Sequence, residues 1–349
     1  MPNTLAIFDV SPFIYKGYHM PGFSTERMYT FPIKGVHYLM RYISKELKFN
    51  NDIALCFDSR SFRKKILKEY KAHRTPNIEI YAQIDFVYKY LKQCGFVCYK
   101  QDQYEADDFI YNVAFANVGR YNTVKIYGVD YDLAHNVDEY GVVFESISNQ
   151  VCSIDRSNFS AILGKDEEVL FNTVTAYKVL TGDSSDNVKS FISEKGHRGI
   201  DIYRMYVDLI KEQCSDQNSY YIKSRDLLEY FLGAIDAFTE NDRKELNKRM
   251  DIFYPAIISK DENGLEYDYT QVSNKNNINL NAFIKLLKSI KDITSLSALD
   301  EHPGQGSDEI RSYLFEQGKK IAEGSYGVDN NLPNRTNRVG IKPLILNGF

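Results

Sequence analysis

Short apolar runs that lead into an acidic residue recur along the first half of this sequence. Leu5–Asp9 and Ile53–Asp58 are two such runs, and Asn122–Gly128 is followed almost directly by Asp130. Runs of this length, separated by segments with helical spacing, are typical of buried parallel strands joined by helices. The pattern predicts a doubly wound, mostly parallel α/β sheet over about the first 155 residues. Its acids would then collect at the carboxyl edge of the strands, where ligands of such sheets bind.

A denser acidic group, Glu105-Ala106-Asp107-Asp108, precedes an apolar segment. Alone it is typical of a first helical turn, because acids there interact favourably with the helix dipole. Beside the acids at the strand ends it predicts a cation site, since unneutralised carboxylates repel one another by roughly 4 kcal/mol at ~4 Å. The predicted set, which on this reading contains no Lys or Arg, is Asp9, Asp58, Glu105, Asp107, Asp108, Asp130, Asp132, Asp183 and Asp186.

The donor types indicate which metal such a site would take. No His or Cys lies in these groups, and ligand sets made only of oxygen favour Mg²⁺, with Mn²⁺ as a substitute, over zinc. Two such ions about 4 Å apart are the usual arrangement for hydrolysis of a phosphodiester. The cysteines are scattered and are interpreted as buried reduced thiols; they are Cys56, Cys94, Cys98, Cys152 and Cys214.

One segment is strongly basic although the chain as a whole is slightly acidic. The net charge of −4 argues against indiscriminate binding of polyanions, whereas Arg60–Arg74 carries many cations and the single acid Glu69. Such a segment is often only a solvated helix face. Mutual repulsion among its cations nevertheless favours a contact with a polyanion here.

The remainder of the chain indicates a helical part and a polar tail. Helical patterns continue beyond Asn187, interrupted by a polar stretch at 260–279 that is predicted to be a long loop. We therefore expect a sheet domain at 1–187 with a basic segment at 60–78, a helical subdomain at 188–323 and a flexible tail at 324–349. The start of the chain has no leader pattern and no long apolar run follows, which predicts a cytoplasmic protein without membrane contact. We also expect a monomer.

Six motifs in order resemble the signature of the 5′-nuclease superfamily, which includes the flap endonucleases and the 5′-nuclease domain of bacterial DNA polymerase I. These motifs are Phe8-Asp9, Phe57-Asp58, Ser61–Arg74, Glu105–Asp108, Gly128–Asp132 and Gly182–Asn187. The stretch after Asp186 looks more like the ribonuclease H enzymes of T-even-type bacteriophages. The resemblance implies a PIN-like catalytic domain at 1–187 and a DNA-binding role for the helical subdomain at 188–323. It also implies a phage-encoded enzyme that acts in the host cytoplasm.

The resemblance also implies roles for individual residues. A first metal ion would be held by Asp9, Asp58, Glu105, Asp107 and Asp108, and a second by Asp130, Asp132, Asp183 and Asp186. The basic segment would form a helical arch over a single-stranded 5′ end, with Lys71 and Arg74 facing the scissile phosphate as catalytic cations. Further nucleic-acid contacts would come from Lys16, Arg63, Lys64, Lys65 and Tyr70. Tyr15 and Tyr70 could stack on unpaired bases, with packing as the alternative for each.

The chain departs from the family pattern directly after Asn187. Members of the family usually have a glycine-rich hairpin there, which grips duplex phosphates through backbone amides and a potassium ion. In this sequence the stretch 188–199 keeps only two glycines, Gly196 and Gly199. Whether K⁺ binds there stays open. Three cations could replace the amide contacts with ionic ones; they are Lys189, Lys195 and Arg198.

The expected activity is that of a magnesium-dependent 5′ to 3′ exonuclease and flap endonuclease, removing RNA primers and DNA 5′ flaps during replication. Its substrates would be branched or flapped DNA and RNA–DNA hybrid. A PIN-like endoribonuclease without an arch is one alternative, and a non-catalytic protein that binds DNA structures is another. In the tail, Leu344–Leu346 and Phe349 are interpreted as a docking site for a single-strand-binding protein or sliding clamp, with local packing as the alternative.

Overall fold

The sheet at the centre of the molecule has the predicted α/β topology. The structure is a computed structural model and describes residues 4–20, 27–137, 141–147, 153–155, 157–158, 173–213 and 225–327. Within these ranges, six strands pair in the order β5-β4-β1-β6-β7-β8, all parallel except β8. They are β1 (Thr4–Asp9), β4 (Asp52–Cys56), β5 (Cys98–Tyr99), β6 (Thr123–Gly128), β7 (Val142–Ser146) and β8 (Ser153–Ile154). The apolar run at 95–99 forms a strand over only its last two residues.

Helices cover the sheet and continue to the end of the described chain. The first five are α1 (Val10–His19), α2 (Lys34–Lys48), α3 (Arg63–Ile66), α4 (Ile78–Gln93) and α5 (Ala106–Asn117). The later ones are α6 (Val174–Thr181), α7 (Gly199–Gln213), α8 (Arg225–Gly233), α9 (Glu240–Phe253), α10 (Leu280–Ser289), α11 (Ile293–Ala298) and α12 (Asp308–Ala322). Short 3₁₀ helices lie at Tyr131–Asn136 and Ser184–Asp186, and β2 (Arg27–Met28) pairs with β3 (Phe31–Pro32) in a separate hairpin.

The alternation of side chains along the central strands gives the sheet two buried faces. Ala6 and Phe8 of β1 pack with α1, α2 and α4, whereas Leu5 and Ile7 pack with α5 on the opposite face. Because successive strand residues point to opposite sides, an apolar run buries both faces at once. The predicted fold class, an α/β sheet of mostly parallel strands between helices, is confirmed.

A third apolar core differs from the predicted division at residue 187. Helix α6, expected to belong to the catalytic part, packs through Val179 and Leu180 with α7, α8 and α9. Conversely, α10 and α12 pack through Phe283 and Leu314 into the core under the sheet. The helical subdomain is therefore built from about 174–253, and the last helices belong to the sheet domain.

The polar stretch at 260–279 is a strap that is anchored to the sheet. The Ile53 N–H donates to the Ser273 carbonyl at 2.7 Å, and the Ser273 N–H donates back to the Ile53 carbonyl at 2.7 Å. Tyr267 and Tyr269 stack with each other and pack against the core that contains α5. The prediction of a loop was right in its irregular backbone, but the tyrosines bury it against the protein.

The basic segment does not form a long arch helix. Only Arg63–Ile66 is α-helical, and turns occupy 68–73. The cations at Lys64, Lys65 and Lys68 are exposed, so their side chains remain in water. The predicted helical arch is therefore wrong for this state of the chain, because the segment folds back onto the acidic residues described below.

Several smaller expectations can be placed on the structure. Cys56 and Cys94 are buried and Cys98 is partly buried, all with free thiols, whereas Cys152 and Cys214 lie outside the described residues. Burial raises the pKa of the Cys94 thiol to about 12. The tail beyond residue 327, with its proposed docking residues, also lies outside them. Within the described ranges, no helix is both long and apolar enough to cross a membrane.

Candidate active site

The carboxyl edge of the parallel strands brings four aspartates together. Asp9 ends β1, Asp58 follows β4, Asp130 follows β6, and Asp107 lies in the first turn of α5. Burial raises the pKa of Asp9 well above its usual value, and the neighbouring charges of Asp58, Asp107 and Asp130 raise it further. The Asp9 Oδ1 atom is buried without a hydrogen-bond partner. These side chains thus form an electrostatically strained group with an oxygen still free to bind a donor or cation.

Helix α5 begins as the sequence predicted, but its acids have different partners. Glu105 and Asp108 form a reciprocal capping box, in which the Glu105 N–H donates to Asp108 Oδ2 at 3.0 Å. The Ala106 N–H donates to Asp58 Oδ1 at 3.0 Å. Such contacts satisfy the orphan N–H groups of the first helical turn. They also fix how Asp58 and Asp107 are presented to the site.

Asp108 is not available as a metal ligand in this structure. It is completely buried and accepts hydrogen bonds from Arg63 at 2.6 and 2.9 Å and from the Ala256 N–H at 2.7 Å. Together with the capping bond, these contacts occupy both carboxylate oxygens. The implied role of Asp108 as a ligand of the first metal is therefore corrected to that of a buried partner of Arg63.

Arg63, expected to bind nucleic acid, is likewise an interior residue. Besides Asp108, its guanidinium donates to Glu105 at 3.1 Å and to the Ile252 carbonyl at 2.6 Å. A charge with this many partners is stabilised away from water. The pKa of Arg63 is accordingly raised by Asp108 and Glu105 even though burial opposes the charge. Arg63 ties the basic segment to α5 and to the end of α9 instead of facing a substrate.

Glu105 is held by the tip of the basic segment. The Lys71 ammonium lies 2.8 Å from Glu105 Oε1, and the Tyr70 hydroxyl donates to Glu105 Oε2 at 2.9 Å. Burial would raise the pKa of Glu105, but Lys71 and Arg63 outweigh it and lower the pKa. Because Tyr70 is buried and hydrogen-bonded, the suggested stacking of Tyr70 on a base is wrong for this state and the packing alternative holds.

A second set of contacts docks the same segment onto the acidic loop. Arg74 pairs with Asp186 at 2.8 Å, the Lys71 N–H donates to the Asp186 carbonyl at 3.0 Å, and Asn187 donates to the Glu69 carbonyl at 3.0 Å. Lys71 has a left-handed backbone conformation with φ 51°, which residues other than Gly seldom adopt. We call residues 67–74, held in this way, the docked segment.

Lys178 is a site residue that the sequence reasoning missed. It lies in α6, and its ammonium contacts both Asp132 and Asp183. Burial and Asp130 raise the pKa of Asp132 to about 8 in spite of Lys178. For Asp183, Lys178 outweighs burial and lowers the pKa. The available signal was its place in the last turn of a predicted helix, five residues before Asp183.

The assumption that no Lys or Arg enters the acidic group is therefore wrong. Arg63, Lys71, Arg74 and Lys178 pair with Asp108, Glu105, Asp186 and Asp132 respectively. In the part of the chain that the structure describes, no three acidic, His or Cys side chains stand ready to hold a metal ion together. The protein's own cations neutralise much of the cluster, while the Asp9, Asp58, Asp107 and Asp130 group is left with excess negative charge.

A small cavity lies against this cluster on the side of the helical core. Its volume is about 50 Å³, and its lining includes Glu105, Asp107, Asp132, Lys178 and Asp186. His135 and Pro255 also line it. The cavity brings acids from both implied metal sets to one space.

The other residues implied to contact nucleic acid lie around the site at varying depth. Lys16 donates to the Ile147 carbonyl, and Lys65 donates to Gln103 at 2.8 Å. Tyr15 is partly exposed. Burial raises its pKa, the charge of Arg74 lowers it, and the charge of Asp58 raises it. The stacking of Tyr15 on an unpaired base remains a prediction.

The segment after Asn187 forms a tight turn on the helical subdomain. The Ser193 N–H donates to the His197 carbonyl at 3.1 Å, and Gly196 has φ 83°. Lys189, Lys195 and Arg198 are exposed around this turn, and Arg198 pairs with Asp201 at 3.1 Å. Their contact with duplex DNA, and binding of K⁺ at this turn, remain predictions.

The N-terminal part of the chain matches a known family model. Residues 4–164 match the 5′-3′ exonuclease, N-terminal resolvase-like domain. The chain is 32% identical over 162 residues to a 5′-3′ exonuclease of Mycoplasma pneumoniae and 30% identical over 156 residues to that of Mycoplasma genitalium. These matches cover 44% and 43% of this chain and 53% and 52% of the relatives. The chain thus spans about half the length of the curated relatives it matches.

Solved structures with a similar outline share little sequence with this chain. The T5 5′-exonuclease with bound zinc ions has a TM-score of 0.45 and 18% identity, covering 72% of this chain and 100% of that one. The catalytic core of Rad2 in complex with DNA substrate has a TM-score of 0.45 and 14% identity, covering 90% and 92%.

The family model ends at residue 164, and the acidic groups from Asp9 to Asp132 all lie inside its span. The curated relatives match over a comparable length. The resemblance of this chain to the 5′-nuclease superfamily, first seen in its ordered acidic motifs, is thereby confirmed for residues 4–164.

Proposed function

We propose that this protein is a divalent-metal-dependent 5′ to 3′ exonuclease and flap endonuclease that hydrolyses phosphodiesters of DNA 5′ flaps and of RNA primers on DNA. The observation that carries the proposal is the convergence of Asp9, Asp58, Asp107 and Asp130 at one edge of the sheet. In the reaction, a water oxygen adds to phosphorus and one phosphorus–oxygen bond breaks.

The chemistry of these donors fits Mg²⁺, with Mn²⁺ as a substitute. All four are carboxylates, hard oxygen ligands of the kind these ions prefer, and the buried Asp9 Oδ1 lacks a partner. A divalent ion bound there would help to ionise water and bear charge on the transferring phosphate. Asp132, Asp183 and Asp186 are candidates for a second ion once Lys178 and Arg74 release them.

Lys71 and Arg74 would serve the reaction as phosphate-binding cations. In this structure both are paired with acids of the site, at 2.8 Å in each case. An entering phosphodiester offers the same negative charge as the carboxylates, so these side chains can exchange Glu105 and Asp186 for the substrate. Their charge would then stabilise the developing negative charge at phosphorus.

The proposal is tested by cleavage of an end-labelled 5′-flap DNA with and without Mg²⁺. Asp9→Asn and Asp107→Asn should each lower the rate by about 10²–10³-fold, in line with loss of one strong electrostatic contact to the reacting group. Asp300→Asn is the control, because that side chain is 86% exposed on the surface. Cleavage at the wild-type rate by both site variants would rule the proposal out.

A second candidate, a PIN-like endoribonuclease, is favoured by the compact form of the basic segment. Such an enzyme needs no arch, and the described segment has only the short helix α3. The double variant Lys71→Ala, Arg74→Ala separates the two functions. It should reduce flap cleavage strongly, whereas an endoribonuclease acting on single-stranded RNA would keep nearly its full rate.

A further inference from the structure

A cleft of about 540 Å³ shares two wall residues with the small acidic cavity. Its walls are largely aromatic and apolar. They come from the residue before α3, from α5, from the start of α8, and from the end of α9 with the segment that follows it. They include Phe62, Tyr111, Phe115, Tyr254 and Ile257. The cleft has no part in the proposed hydrolysis, and its volume exceeds that of the acidic cavity about tenfold.

Two aromatic rings of the cleft lie nearly parallel to each other. Tyr111 and Phe115 stand one helical turn apart on α5, and their rings stack with an interplanar angle of 18° and centroids 6.2 Å apart. Phe115 is 58% exposed and Ile257 is 80% exposed. Large apolar side chains grouped in this way at a cleft mouth mark a binding site more often than isolated exposed ones do.

The charges at the rim of the cleft favour a base over a phosphate as its occupant. Arg225 lies 2.6 Å from Asp251, and Asp226 adds a second carboxylate. A rim with one guanidinium and two carboxylates repels phosphates, but its carboxylates can accept hydrogen bonds from exocyclic amino groups of bases. The neutral, flat part of a nucleotide therefore fits the cleft better than its backbone does.

The cleft shares part of its wall with the small acidic cavity of the proposed site. His135 and Pro255 line both spaces, so a strand with a phosphate among the acids could place a nearby nucleotide beside the aromatic wall. We propose that this cleft binds an unpaired nucleobase of the substrate strand by stacking on Tyr111 and Phe115. The proposal rests on the proposed function, because it takes a single-stranded nucleic acid as the substrate.

The test measures base binding without cleavage, using the full chain in EDTA. A 5′-flap DNA carries 2-aminopurine at successive flap positions, and the fluorescence change and the Kd are recorded. Binding of the wild-type protein should change the 2-aminopurine fluorescence at one flap position. The Phe115→Ala variant should not give that change and should bind the flap DNA about tenfold more weakly. Phe49→Ala is the matched control, since Phe49 is 62% exposed and does not line the cleft. Equal Kd and equal fluorescence in both variants would overturn the proposal.

Two further arms keep the result clear. Ile257→Ala, with Leu265→Ala as its exposed control, repeats the comparison if Phe115→Ala fails to fold. If free 2-aminopurine nucleotide gives a Phe115-dependent change and the flap gives none, a strand base is not the occupant. Wild type that binds the base but cleaves no flap with Mg²⁺ would refute the proposed function alone. Wild type that cleaves while Phe115→Ala equals its control would refute the base site alone.

Discussion

Arg63 and Asp108 form an ion pair inside the protein, with side chains 4% and 0% exposed. Their charges are far apart in the sequence, and each has further hydrogen bonds that only the folded chain supplies. A pair of this kind can add little net stability, but removal of one partner leaves a buried charge unpaired.

Arg63→Met should therefore lower the free energy of unfolding by about 3–5 kcal/mol, measured by urea denaturation. The double variant Arg63→Met, Asp108→Asn removes both charges and should recover part of that loss. If the single variant loses less than about 1 kcal/mol of unfolding free energy, water reaches Asp108 and the pair is not truly buried.

Lys178 neutralises two acids that would otherwise face each other. In EDTA, Lys178→Met should reduce the free energy of unfolding by about 2 kcal/mol, because Asp132 and Asp183 lose their shared cation in a partly buried place. Excess Mg²⁺ binds only the folded state and should therefore raise the free energy of unfolding. The increase should be larger in the variant, because the ion no longer competes with Lys178 for Asp132 and Asp183. Lys244→Met removes an exposed pair with Glu240 and should change neither value; a Lys178 variant that behaves in the same way contradicts the role given to Lys178.

At the scale of elements, the contact between α6 and α7 is very close. Helix α7 begins at Gly199, where a Cβ atom would lie 1.7 Å from the Leu180 carbonyl oxygen of α6. The Gly199 N–H also donates to the Phe191 carbonyl at 2.7 Å. Only a residue without a side chain lets the turn between the two helices close in this way.

Gly199→Ala should consequently destabilise the protein by about 2 kcal/mol or more, because backbone must shift to admit the methyl group. Thermal unfolding followed by circular dichroism measures the change. Gly327→Ala is the control, since a Cβ there meets nothing within 4 Å. Equal melting temperatures for the two variants would mean that α6 and α7 do not pack as described.

The docked segment shows how a charged element can change its partners. Its contacts to Glu105 and Asp186 are ionic, whereas α3 beneath it is fixed by the buried Arg63. Ionic contacts near the surface are exchanged readily for a charged ligand, but a buried pair is not. The base of the segment should thus stay in place while residues 67–74 respond to a bound phosphate.

On the scale of the whole molecule, the last helices complete the sheet domain. Phe283, Leu286 and Leu314 are fully buried in the core that also contains β1 and α2. A chain that ends at 279 should therefore lose cooperative unfolding in circular dichroism and calorimetry, because it exposes this core. A chain that ends at 327 is the comparison that separates loss of these helices from loss of the tail. Cooperative unfolding of the 279-residue chain would contradict this assignment.

The sequence alone determined the sheet and the place of its acids. Apolar runs that end in Asp9 and Asp58 can be recognised because parallel strands buried on both faces need continuous apolar residues, and because their carboxyl ends meet at one edge. The start of α5 at the acidic group followed from the favourable interaction of acids with the helix dipole, which is also a local effect. These features depend on residues close together in the chain.

The tertiary structure alone decided which charges meet. Arg63 contacts Asp108 across 45 residues, Arg74 contacts Asp186 across 112, and Arg63 reaches the Ile252 carbonyl across 189. Composition and spacing do not encode such pairings, since a cation is attracted to any acid that the fold brings near it. For the same reason the pairing of Lys178 was not predicted, the basic segment was predicted to be a helical arch, and α10, α11 and α12 were assigned to the helical subdomain instead of the sheet domain.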